Sequence, residues 1–126
     1  MFSHVMVGSN DLEASRTFYD ATLGALGARH GSDNNGRIFY MHNGSMFLVT
    51  KPINGEPACH ANGGTIGFAA QSPEQVDAWH AVGIAAGGTP IEEDPGIRDG
   101  GVVKLYLAYL RDPAGNKLCA MYRIPA

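Results

Sequence analysis

Few residues in this chain could do chemistry, and their spacing is uneven. His4 stands alone in a short apolar run, "SHVMVG". An imidazole there could ligate a metal or move a proton near neutral pH, or it could be an ordinary hydrogen-bonded histidine of a strand. Cys59 and His60 are adjacent, but neighbours in an extended segment point apart, so the pair reads as a loop feature or as a rim reaching a partner subunit. Nothing nearby in the sequence shows that the pKa of Cys119 is lowered, and it reads as a small buried hydrophobe. His42, in a hairpin turn, and His80, on the outer side of a helix, read as solvated. So does the acidic run Glu92-Glu93-Asp94.

The elements that must position these groups follow from pattern. Phe2 to Val7 reads as a strand. Asn10 or Asp11 caps a helix whose stripe is Leu12, Phe18, Tyr19 and Leu23, and which Gly24 and Gly27 end. Short strands are expected over 28–31, 37–42 and 45–50, with hairpin chemistry in "SDNNG" and "HNG". Residues 51–62 read as a connecting loop. The pattern then restarts. A strand over 65–70 leads to Ser72-Pro73-Glu74, a helix start with proline at the first helical position. That helix carries Val76, Trp79, Val82 and Ile84 and ends at Gly87-Gly88. Strands are expected over 89–93, 102–110 and 117–122, the last two joined by the tight turn "DPAGN". Shifting the chain by 61 residues sets "HVMVGSNDLEASRTFY" on "TIGFAAQSPEQVDAWH". The repeat unit is strand–helix–three strands, too small to bury both its sheet face and its helix alone.

Composition bounds the rest. The chain has 126 residues, 44% hydrophobic and 17% charged, with a formal charge of −3. This is one globular domain with a real core. No cluster of basic residues marks a nucleic-acid partner, and no apolar run is long enough to span a membrane. Two distant cysteines make no disulfide framework, and "MFSHVMVGSND" has no secretory pattern, so a cytoplasmic setting is expected.

Three stretches together resemble the vicinal oxygen chelate superfamily of glyoxalases, bleomycin-resistance proteins, fosfomycin-resistance enzymes and extradiol dioxygenases. They are "HVMVGSNDLEASRTFYDATLGALG", "GGTIGFAAQSPEQVDAWHAVGIAAGGT" and "YLAYLRDPAGNKLCAMY". The resemblance implies an α+β fold of two βαβββ modules, about 1–55 and 62–126. Their curved mixed sheets form a cup with the helices outside, usually in a homodimer. It also implies four metal-ligand positions, usually His or Glu. Here these fall on His4, Leu48, Thr65 and Cys119. Only His4 is a strong ligand for a hard divalent cation. The family metal site is therefore read as degraded, with no cofactor expected and His4 its one surviving ligand.

With His4 facing the cup, strand alternation sends Met6, Leu48, Thr65, Gly67, Cys119 and Met121 to the same side, with Lys117 beside them. In fosfomycin-resistance relatives the residue three before the hairpin aspartate faces the ligand. Here that is Tyr109, and Leu107 shares its face. The glycine-rich stretch 93–101 reads as a lid, with Arg98 as an anion contact. Two functions remain open. One is lactoylglutathione-lyase-like chemistry, with His4 as general base and Tyr109 or Thr65 as oxyanion donors. The other is a non-catalytic, metal-free protein that sequesters a drug or metabolite in the cup. A third reading rebuilds a metal site from His4, Cys119 and a histidine of another chain, such as His60.

Overall fold

The structure is a computed structural model describing residues 1–126. Each half begins with a strand and a capped helix. β1 (Val5–Gly8) leads to α1 (Leu12–Ala25), whose N-cap Asp11 accepts from the Ala14 amide. β5 (Ile66–Ala69) leads to α2 (Pro73–Ala85), whose N-cap Ser72 accepts from Gln75. Three strands follow each helix: β2 (Ser32–Asn34), β3 (Arg37–His42) and β4 (Ser45–Thr50), then β6 (Thr89–Asp99), β7 (Lys104–Arg111) and β8 (Lys117–Ile124). The first strand of each half pairs parallel to its last, giving sheets ordered β1-β4-β3-β2 and β5-β8-β7-β6. The duplicated βαβββ architecture expected from the sequence is present.

Strand alternation divides the sheets cleanly. Val5 and Val7, Phe47 and Val49, Leu118 and Ala120, and Ala108 and Leu110 turn toward the helices, joining Phe18, Tyr19, Val76 and Trp79 in one core shared by both halves. Phe47 meets Phe68 edge-on across the seam between modules, with ring centroids 5.3 Å apart. α2 packs so closely at Gly83 that a Cβ there would lie 2.3 Å from Leu110 Cδ1 of β7 and 3.1 Å from Thr22 Cγ2 of α1.

The modules are locked by the β7–β8 hairpin. Asp112 is buried, and its Oδ1 accepts from the amides of Ala114 and Asn116, each at 2.9 Å. Its Oδ2 accepts from the Tyr19 hydroxyl at 2.5 Å and from Asn116 Nδ2 at 2.8 Å. Asn116 Nδ2 also donates to Gly8 O at 3.1 Å, so the hairpin holds α1 and the end of β1 at once. Burial and the neighbouring Asp112 carboxylate push the Tyr19 phenol well above its usual pKa. It therefore stays a donor.

Three expectations are corrected. The strand expected over 28–31 forms instead at Ser32–Asn34. Gly31 is taken out of the ladder by α1, because its amide donates to Asp20 Oδ1 and its carbonyl accepts from Arg16 Nη1. Asn35 and Gly36 both adopt positive φ and make the tight turn. The expected lid over 93–101 is largely strand: β6 continues to Asp99 after a register shift between Ile91 and Gly96, and Arg98 pairs with Leu105. The Arg98 guanidinium stays local, on Asp94 O and Glu93. His80 is buried rather than solvated, because the inward face of α2 is Val76, Trp79, His80 and Gly83. Its Nε2 has no partner. The acidic run Glu92-Glu93-Asp94 is exposed, as expected, and within it Glu92 has positive φ and ion-pairs with Lys117.

Asp112→Ala should cost about 3 kcal/mol by stranding several donors, and Tyr19→Phe about 1–2 kcal/mol, read as shifts in the urea midpoint. Burial lowers the His80 pKa from 6.5, opposed by Asp94 and Asp77. The unfolded chain then binds the proton more tightly, so this contribution is full above pH 6.5 and is lost as pH falls below it. The drop in Tm from pH 7 to pH 5 should be shallower in His80→Leu; an unchanged slope would refute the assignment.

Candidate functional site

The face of each sheet turned away from the helices carries most of the candidate residues, in two separate groups. On the second sheet the register builds a row across four strands. Gly67 lies opposite Cys119, Cys119 opposite Tyr109, and Tyr109 opposite Ile91. The next row sets Met121 against Leu107. On the first sheet Met6 lies opposite Leu48, and Leu48 opposite Phe39. Thr65 is exposed just ahead of β5. His4 is exposed just ahead of β1, with Nδ1 2.8 Å from Ser3 Oγ. It lines a pocket of about 340 Å³ at the seam between modules. Of the other candidates only Gly67 shares that lining, so His4 and Tyr109 are not brought into one pocket.

The outer face of the second sheet is charged at both ends, with Arg98 and Arg123 flanking Leu105 at one and Lys117 beside Tyr109 at the other. The Lys117 ammonium lies 5.0 Å from the centroid of the Tyr109 ring, a cation–π distance. It also pairs with the Glu92 carboxylate. Glu92 has φ +59°, a left-handed conformation that a glutamate adopts only at a cost. It falls inside the β6 register shift, and the bulge aims its side chain at Lys117. Burial raises the Tyr109 phenol, helped by the proximity of Cys119 and Glu92, so it is a hydrogen-bond donor rather than a phenolate. Burial also pushes the Cys119 thiol up to about 11. Neither group is a base near neutrality.

The four positions where the resemblance implies metal ligands do not fit a divalent cation. Leu48 is buried and has no donor atom, Cys119 is a buried neutral thiol, and Thr65 and His4 stand exposed at strand entrances. No three His, Cys, Asp or Glu side chains come close enough to hold an ion. His60 packs on the β7–β8 hairpin, since a Cβ on Gly115 would lie 2.6 Å from its Cδ2.

Sequence reasoning missed two features. The Glu92–Lys117 pair has a weak signal: Lys117 lies two residues before Cys119, hence on its face, and the acidic run lies at a strand break. His42 lines the same seam pocket as His4, and nothing local in the sequence joins them.

Comparison with known proteins places the chain. The family model for the Glyoxalase/Bleomycin resistance protein/Dioxygenase superfamily matches residues 1–120, and the chain belongs to that family. A solved glyoxalase/bleomycin resistance protein from Albidiferax ferrireducens T118 is 66% identical, with TM-score 0.95 over 98% of this chain and 99% of that one. A family enzyme from Burkholderia phytofirmans PsJN shares the fold at 20% identity, with TM-score 0.73 over 97% and 98% of the two chains. A lactoylglutathione lyase from Agrobacterium tumefaciens shares it at 24% identity, with TM-score 0.64 over 97% and 92%. No curated protein matches the chain.

The two thiols differ sharply in access, since Cys59 is exposed and Cys119 buried. Iodoacetamide at pH 7.5 should add one group per folded chain, at Cys59, and two in denaturant. Alkylation of Cys119 in the folded protein, read by peptide mass spectrometry, would contradict its burial.

Proposed function

We propose that this chain is a metal-independent binding protein that takes up a small molecule against the outer face of its second sheet. The observation that carries the reading is the replacement of a charged ligand set by a neutral, apolar floor: Leu107, Cys119 and Met121 beside Gly67. Lys117 and Tyr109 offer a cation and a phenolic donor at one end of that floor, and Arg98 and Arg123 stand at the other. An apolar floor with a few placed polar groups is the usual make-up of a small-molecule site. The ligand this suits has an apolar body and an acidic or carbonyl group for Lys117 and Tyr109.

The site is completed by a second copy of the chain. Met41 and Met6, 64% and 41% exposed, lie on the outer face of the first sheet, which therefore presents apolar surface to a partner. The lyase reading is weaker, because its general base His4 and its donor Tyr109 belong to different linings.

Protein purified without a His-tag should carry no stoichiometric metal, and His4→Ala should not change its metal content. A thermal-shift series with small organic acids, lactoylglutathione first, should raise Tm by a few degrees with EDTA present. Lys117→Met should abolish the shift. Formation of lactoylglutathione that disappears in His4→Ala would replace binding with catalysis. Metal-dependent stabilisation would overturn the metal-free site.

A further inference from the structure

The seam between the two modules is closed at one end and open at the other. At the closed end the 51–64 linker folds back over it. The Ala58 backbone exchanges two hydrogen bonds with the Asn10 side chain, and the Ala58 side chain sits against Gly8, where a Cβ would meet it at 3.0 Å. His60 covers Gly115 there. By the internal repeat, the equivalent hairpin at the opposite end is the β3–β4 turn at Asn43-Gly44. No linker covers that end. The chain before β1 passes nearby, but Phe2 is 80% exposed rather than packed into the gap. What is left is the pocket of about 340 Å³, within the range that encloses small organic ligands.

Its walls are specific. Tyr40, Phe47 and Phe68 form a run of rings, with centroids 6.5 Å and 5.3 Å apart in sequence along the run. The Tyr40 hydroxyl is committed to Asp20 Oδ1 at 2.8 Å, so that residue offers the pocket its ring. Leu23 and Leu26, from the end of α1, complete the apolar part. The polar part is different in kind. His4, His42 and Ser45 all line the pocket, and no Asp, Glu, Lys or Arg does. Asn43 Nδ2 lies 3.2 Å from His42 Nε2, and His4 Nδ1 lies 2.8 Å from Ser3 Oγ. Imidazole and hydroxyl groups can each donate a hydrogen bond, and no carboxylate in the lining repels a negative charge.

The geometry points to a second small-molecule site at this open end of the seam, meeting the outer-face floor only at Gly67, that binds a one- or two-ring aromatic carboxylate. The ring system lies against Phe68 and the small accessible parts of Tyr40 and Phe47, 2% and 7% exposed, where ring contacts favour aromatic over aliphatic bodies. The carboxylate lies toward His4, His42 and Ser45. Phe2 is placed at the rim to cover the bound ring. The site does not depend on the outer-face reading, because it shares no charged group with it.

Calorimetric titration of the full chain with 2-naphthoate tests this. In Lys117→Met, where outer-face binding is removed, saturable binding at one molecule per chain is expected. Ser45→Trp, which fills the mouth from an exposed strand position, should weaken it at least tenfold. The double variant His4→Leu/His42→Leu should do the same while keeping the wild-type circular dichroism. Methyl 2-naphthoate, which has no charge, should bind at least tenfold more weakly than the acid. Lys117→Met should leave naphthoate affinity unchanged even where it abolishes outer-face binding. Three results would overturn the proposal: no saturable binding, equal affinity for acid and ester, or binding lost in Lys117→Met and kept in Ser45→Trp.

Discussion

A carboxylate removed from water must find donors, and that requirement at Asp112 organises this protein. An unpaired charge in the core would cost several kcal/mol. Asp112 has two backbone amides from its own turn, the Asn116 amide and the Tyr19 phenol. The first three shape the hairpin between β7 and β8. The fourth comes from α1, so satisfying the charge also docks the first helix against the second module. Asn116 extends the same network to the end of β1. Two half-domains, each too small to fold around its own core, are thereby fixed at one orientation. The shared core of Phe18, Tyr19, Phe47, Val76 and Trp79 can then pack without slack.

The outer face shows the complementary economy. Where the resemblance implies charged ligands, this chain places leucine, threonine and cysteine, and the strands close over Leu48 and Cys119 almost completely. A buried neutral thiol needs no counter-charge, so that face can be apolar. Of the cations on that face, Lys117 is balanced by a glutamate in a left-handed backbone conformation. The bulge in β6 carries the strain of that placement.

Much of the fold was legible because it rests on local rules. Asp11 and Ser72 are caps, Gly27 ends its helix with positive φ, and "DPAGN" is a turn whose aspartate must accept backbone amides. Alternation assigned the faces correctly: Val5 and Val7 turn inward, while Met6, Leu48, Cys119 and Met121 turn outward. What was not legible depends on contacts between distant segments. Gly31 leaves the sheet because Arg16 and Asp20 bind its backbone. His80 is buried because α2, apolar on nearly every side, is enclosed by α1 on one flank and the second sheet on another. The seam pocket draws on α1 and four strands. The metal-ligand positions illustrate a further limit: sequence names residue types, but whether a lone His4 has partners is settled by where Leu48, Thr65 and Cys119 stand.

The lock at Asp112 has a consequence for how the chain comes to be folded. Tyr19 and Asp112 are 93 residues apart, and Gly8 and Asn116 are 108 apart. Contacts of such separation form late and slow the search. The helix and strands of the first module are synthesised early, but the groups that hold them arrive near the end of translation. Until the hairpin emerges, Phe18, Tyr19 and Phe47 have no second module to bury them. The nascent chain thus exposes an apolar helix face for most of its synthesis, the interval in which such a surface is prone to aggregate.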